Sequence, residues 1–274
     1  MEPEPVMVAL PGTMCSPAVF EPLRRALAGQ VTLDSFSWLT QPGPWDIPAV
    51  AERVAGHISE RWGRPVLVCG HSTGGAIALQ LAITSPGSVL GLVLVDTGAH
   101  MKGHGDVDAI LDRIRDDWGE ELRAAVLDRS FRVPLSPQVR AEYLSWAAAL
   151  SQQAVFDVLA SQRDLDLTAG LAGLAMPAVV MHGRRDRARP PQQGRELAAQ
   201  LPNAEFRLVD AGHTPIYETP GAVAAAVRDL LARIQLRPPV SAPDTSGDRE
   251  AGAANAVRGH LDQRAAPGGA DRER

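Results

Sequence analysis

The run Val66-Leu67-Val68-Cys69-Gly70-His71-Ser72-Thr73-Gly74-Gly75, leading into Ala76-Ile77-Ala78-Leu79, leaves a chain little conformational choice. Its first four residues are apolar without alternation and read as a strand covered on both faces, and the apolar run after the glycines reads as a helix. A serine therefore stands in a tight turn between them. Side chains at Gly70 and Gly74 would collide with the neighbouring strand and helix, so the pattern Gly-x-Ser-x-Gly fits a strained turn that projects a hydroxyl. A glycine-rich turn can also cradle phosphate, but Gly-x-Gly-x-x-Gly and Gly-Lys-Ser/Thr are both absent.

Similar apolar runs bounded by Gly or Pro recur at Val6–Leu10, Val89–Val95 and 178–181, with two less apolar ones at 31–36 and 205–209 that suit sheet edges. Helical patterns over Ile47–Trp62, 75–84, 192–200 and 222–234 stand between them. Strand alternating with helix predicts the α/β class: a mainly parallel, doubly wound sheet of about six strands, with its ligand site at their carboxyl ends. The alternation breaks over 98–165. There Val107, Ile110, Leu111 and Ile114 share one helical face, and Val139, Tyr143, Trp146, Ala147 and Leu150 another, with Pro134 and Pro137 between. A helical insertion leaving a strand's carboxyl end is expected to be a lid with an apolar underside. The core is thus expected over 1–97 and 166–236. The stretch 237–274, rich in Pro, Gly and mixed charge, is expected to be a disordered tail.

With 45% hydrophobic residues the chain can bury a substantial core, and its net charge of -5 gives no basic field for nucleic acid or anionic membranes. A small-molecule substrate is expected instead. No apolar run approaches the ~18 residues of a membrane span. Met1-Glu2-Pro3-Glu4-Pro5 is acidic where a secretory signal starts basic, and Cys15 and Cys69 are too few for a disulfide framework, so a cytoplasmic location is expected.

A serine hydroxyl is a poor nucleophile at neutral pH and needs a base, which needs an orienting acid. His213, behind Gly212 and after the run 205–209, is the candidate base. Asp186, in His182-Gly183-Arg184-Arg185-Asp186, is the candidate acid, and the chain order Ser, Asp, His fits. Asp96, also at a strand end, is the competing acid. His71 and His182 are expected to pack. His100 and His104 with Asp106 lack a clear third ligand, so no metal site is expected. Cys15 has no identifiable base and reads as a neutral thiol near the site. Arg184, Arg185, Arg187 and Arg189 crowd the acid loop, where a solvated surface competes with an anion or carrier-protein contact.

Over residues 6 to about 235, Gly-His-Ser-Thr-Gly-Gly, His-Gly-x-x-Asp, Gly-His before Thr-Pro-Ile-Tyr-Glu-Thr-Pro and the helical insertion resemble the α/β-hydrolase family. Most members carry His-Gly after an early strand; here Leu10-Pro11-Gly12-Thr13-Met14 has proline in place of that histidine. The resemblance implies an oxyanion hole formed by the Thr13 and Thr73 amides, with Met14 the alternative to Thr13, and no cofactor. It also implies that two leading strands of longer members are missing. The expected activity is that of a serine hydrolase acting on an ester, thioester or lactone of a medium-sized hydrophobic molecule through an acyl-enzyme. The competing expectations are carbon-carbon bond hydrolysis, cofactor-free peroxidation or lyase/cyclase chemistry with the same residues, and a non-catalytic receptor.

Overall fold

The computed structural model describes residues 4–236, and the tail expected over 237–274 lies outside them. Six strands, β1 Val6–Leu10, β2 Thr32–Ser35, β3 Val66–His71, β4 Val89–Val95, β5 Ala178–Gly183 and β6 Ala204–Val209, form one sheet in the order β2-β1-β3-β4-β5-β6. All five pairings are parallel. The chain steps outward from β1 to β2, then returns past β1 to lay down β3 through β6 in the opposite direction. Loops leaving β1 and β3 therefore diverge and open a crevice at their carboxyl ends.

Eleven α-helices and three short 3-10 helices are the other regular elements of the described residues. Those in and around the sheet are α1 Glu21–Ala26, α2 Ile47–Trp62 and α3 Thr73–Thr84; α4 Val107–Asp116, α5 Glu120–Ser130, α6 Pro137–Ala148, α7 Gln152–Asp164 and α8 Thr168–Leu171 follow β4; α9 Pro191–Gln200, α10 Pro215–Glu218 and α11 Pro220–Gln235 close the chain. Strand residues alternate between two cores. Val6, Val8, Val68 and Leu92 join residues of α2, α3 and α9, whereas Met7, Ala9, Leu67 and Val93 join α1 and α11. Both faces being covered, the central strands have no polar side, which is why they read as unbroken apolar runs. The fainter runs, β2 and β6, are the two edges and keep partly exposed residues. No described helix is long and apolar enough to cross a membrane.

The stretch 98–165 contains four helices where the sequence announced two. Only Leu122 is buried along α5, so its apolar period is too thin to read; α7 buries Ala154, Val155 and Val158. Asp106, Ser136 and Ser151 cap α4, α6 and α7, accepting from the amides of Ala109, Val139 and Ala154 at 2.9, 3.4 and 3.3 Å. The ends of the stretch meet: the Leu167 amide donates to the Ala99 carbonyl at 3.0 Å, and Lys102 pairs with Asp166 at 2.6 Å. Helix α7 is tied to α2 by the Ile47 amide, which donates to Ser161 Oγ at 2.9 Å.

Candidate active site

Ser72 stands between β3 and α3 at φ +54°, ψ −119°, a conformation that costs a non-glycine residue energy. Neighbouring bonds hold it there: its amide donates to the Val95 carbonyl at 2.9 Å, and its carbonyl accepts from the Gly75 amide at 2.9 Å and Thr97 Oγ1 at 2.8 Å. Tight packing explains the flanking glycines. A Cβ on Gly70 would lie 2.6 Å from Gly75 Cα, and one on Gly74 would overlap the Leu10 carbonyl.

The loop after β6 brings the buried His213 ring to the serine, with Nε2 3.0 Å from Ser72 Oγ and Nδ1 2.7 Å from Asp186 Oδ2. A proton on Nδ1 donated to the carboxylate leaves Nε2 free to accept one from the hydroxyl. Asp186 is itself held firmly. Its Oδ1 accepts from the Ala188 and Arg189 amides at 2.7 and 2.9 Å, and Oδ2 lies 3.2 Å from His182 Nε2. Burial alone would raise its pKa, but attraction to His213 and the hydrogen bonds from His182 and His213 hold the carboxyl well below the usual range.

Asp96 makes no hydrogen bond or ion pair with His213. Wholly buried at φ +48°, it accepts from the Gly183 amide at 2.9 Å and lies 3.4 Å from His182. Burial first, and the neighbouring Asp186 charge second, push its carboxyl well up. Asp96, His182 and Asp186 are the one described trio of His, Cys, Asp or Glu close enough for a metal ion. The His182 Nε2 they share also faces the Arg189 carbonyl at 3.1 Å. An imidazole nitrogen ringed by three acceptors acts as a donor, so the cluster is a hydrogen-bond network that supports Asp186. Asp106 is occupied as the cap of α4, and His100 bridges to Asp166 through its backbone.

His71 does more than pack. Its Nε2 donates to the His213 carbonyl at 2.7 Å, tying the loop that carries His213 to the strand that leads to Ser72. Burial, then the charge of His213, lowers its pKa to about 3 and keeps it neutral. Cys15 lines the site, and burial pushes its thiol up to about 12. Of the acid-loop arginines, Arg185 pairs with Asp210 at 3.1 Å, Arg187 reaches the Asp128 carbonyl at 2.6 Å, and Arg189 is buried.

Across from the serine, Gly12 to Cys15 form a turn closed by the Cys15 amide on the Gly12 carbonyl at 3.1 Å, with Met14 at φ +57°. Thr73 opens α3, so its amide lacks an intrahelical partner, and the Thr13 amide has no backbone acceptor among the described residues. A relay links the two segments: Thr13 Oγ1 donates to Thr73 Oγ1, which donates to Gln162 Oε1, both at 2.8 Å. Sequence reading missed Gln162. The available signal was a polar residue on the buried stripe of α7, where such a group needs a partner. Also missed was Glu218, whose carboxylate accepts from the Gly212 and Arg132 amides, each at 2.9 Å, joining the histidine loop to the insertion.

The site opens into a pocket of about 1030 Å³, including its mouth, bordered by Ser72, His213, Thr13, Thr73 and residues of all four helices α4 to α7.

A model of the alpha/beta hydrolase family matches residues 7–226. The chain is 27% identical over 252 residues to a pimeloyl-[acyl-carrier protein] methyl ester esterase of Stenotrophomonas maltophilia, covering 84% of this chain and 94% of that one. It is 29% identical over 214 residues to lipase LipV of Mycobacterium tuberculosis, covering 69% and 77%. Among solved structures, the enol-lactonase from Burkholderia xenovorans LB400 superposes with a TM-score of 0.74 at 22% identity, over 84% of this chain and 92% of that one. At that identity the likeness is one of fold.

Proposed function

This chain belongs to the alpha/beta hydrolase family and is an enzyme of the hydrolase class, and from that premise we propose that it is a serine hydrolase cleaving an ester, thioester or lactone through an acyl-enzyme. The observation that carries this reading is the unbroken line from Ser72 Oγ through the two His213 nitrogens to Asp186, at 3.0 and 2.7 Å. In this reading His213 takes the hydroxyl proton as Ser72 Oγ bonds to the substrate's carbonyl carbon. It then returns that proton to the leaving alcohol or thiol as the carbon-heteroatom bond breaks. Water, activated by the same imidazole, releases the acid and restores Ser72. Asp186 stabilises the imidazolium at both stages.

The Thr13 and Thr73 amides receive the charge that develops on the carbonyl oxygen, and the side-chain relay to Gln162 ties the two threonines together. The helices over 98–165 serve as the lid. Supporting this role, Val107, Val126, Leu127, Tyr143, Leu144 and Leu159 line the pocket from α4 to α7, suiting a medium-sized apolar group.

A fluorophosphonate probe tests the reading. It is expected to label the wild-type chain covalently, to leave Ser72→Ala unlabelled, and to react far more slowly with His213→Ala. Labelling that survives in Ser72→Ala, or a wild-type chain inert both to the probe and to a panel of esters, thioesters and lactones, would remove Ser72 as nucleophile.

A further inference from the structure

Seven arginines lie within 98–165, and their partners divide them. Arg113 pairs with Asp117 at 3.8 Å, Arg115 with Asp116 at 3.1 Å and Arg132 with Asp210 at 3.5 Å. Arg140 pairs with Asp128 at 2.9 Å, and Arg163 with Asp108 at 2.8 Å. Arg123 and Arg129 are the two without a carboxylate partner among the described residues, and both line the pocket. Arg123 rests over the Trp118 ring at 5.6 Å and reaches only the Trp118 carbonyl, at 3.4 Å. Arg123, Val126, Leu127 and Ser130 all line the pocket, at the i, i+3, i+4, i+7 spacing of a single helix face, so this side of α5 looks inward.

The pocket's remaining charge has the same sign. Arg189 lines it too, its guanidinium bonded to the His100 carbonyl at 3.2 Å and to Gln193 Oε1, both uncharged. No Asp or Glu is among the lining residues, in a chain whose net charge is -5. His104, at the same wall, registers this field: burial first, then Arg189, His213 and Arg129, lowers its pKa to about 3. Arg189 already feels the attraction of Asp186 and Asp96; leaving Arg123 and Arg129 without a paired carboxylate favours an anionic occupant, because Arg presents a fork of donors that matches carboxylate and phosphate oxygens.

We propose that the pocket takes a substrate bearing an anionic group, a carboxylate or a phosphate, bound by Arg123 and Arg129 while its apolar stretch lies against α5 and α6. The assignment rests on the serine-hydrolase reading for which end of the substrate reacts, and it narrows that reading from hydrophobic esters to amphipathic anionic ones. Arg123 and Leu144 also border a groove between α5 and α6 that carries Glu120 and Arg140.

Two pairs of substrates separate the sources of the anion. 4-Nitrophenyl hydrogen adipate against 4-nitrophenyl hexanoate places a carboxylate on the acyl end; 3-phosphopropyl hexanoate against propyl hexanoate places a phosphate on the leaving group. At least one anionic member is expected to exceed its neutral partner in kcat/KM by about tenfold, an advantage that shrinks in high salt. The double variant Arg123→Gln/Arg129→Gln is expected to bring that ratio close to one, while Arg115→Gln, which removes a paired charge outside the pocket, leaves the ratio intact. Because each ratio is taken within one preparation, the folded fraction cancels. Neutral esters favoured in both pairs, or a ratio that falls equally in Arg115→Gln, would overturn the proposal. The serine reading fails separately, through the probe. In that event calorimetric binding of adipate to Ser72→Ala, against 1,6-hexanediol, still decides: loss of adipate binding in the triple variant supports the site, and equal or absent binding of the two compounds refutes it.

Discussion

Gln162→Leu removes the last acceptor of the Thr13–Thr73–Gln162 relay and puts an apolar side chain of similar size in its place on α7. Thr73 is 3% exposed and Gln162 4%, so water cannot readily replace the lost carboxamide. A buried hydroxyl left without its acceptor costs about 1 to 3 kcal/mol. That cost has two places to appear. If the relay only staples the insertion to the turn, it falls wholly on folding stability. If the relay also sets the distance between the Thr13 and Thr73 amides, part of it appears in the transition state, bounded above by the roughly 3 to 4 kcal/mol lost when an oxyanion donor is removed outright. We therefore expect kcat to fall by about 10- to 100-fold with KM nearly unchanged, because an oxyanion contact strengthens only as charge develops. Thr73→Val breaks the same relay at its middle. In steady-state assays the double variant is expected to be little worse than the poorer single one, the signature of residues acting as a unit. Additive losses across the cycle, or a Gln162→Leu enzyme that is less stable in urea but unimpaired in kcat, would refute the link to catalysis.

Two further expectations follow from the charges around the site. Asp186→Asn should lower kcat by about 10⁴-fold, since an amide facing His213 Nδ1 favours the wrong tautomer, whereas Asp96→Asn, which keeps an oxygen for the Gly183 amide, should stay within about tenfold of wild type; the reverse order would make Asp96 the acid. His71 and His104, both lowered to about 3 in the fold, take up protons in the unfolded chain near pH 6.5, so each withdraws up to about 1.4 kcal/mol of stability per pH unit as acidity rises from 6.5 toward 3. The raised Asp96 carboxyl works in the opposite direction, so the diagnostic is the difference between wild type and His71→Asn. Urea midpoints at pH 7, 5 and 4 should fall less steeply in the variant, and identical slopes would contradict a neutral, proton-refusing His71.

How far the sequence could be read depended on where the backbone itself was constrained. The four central strands were legible because burial on both faces erases polar residues, and the edges β2 and β6 were fainter because one side of each stays partly wet. Ser72 announced itself through Gly70 and Gly74, residues that a crowded turn demands whatever surrounds it. Asp186 and His213 were findable because each follows a strand at the end of the sheet where the serine emerges. No comparable local constraint marks Gln162, His71 or Glu218. Their longest bonds span 89, 142 and 86 residues, and each of these requires only a polar atom where the fold happens to deliver a partner. Nor could spacing distinguish Arg123 and Arg129 from the insertion's other arginines, because all seven stand in mixed-charge helices or loops and only the folded chain shows which ones find an acid. Local sequence thus records what the main chain must do at the turn, while Gln162, His71 and Glu218 find their partners through the packing of α7, the end of β3 and α10.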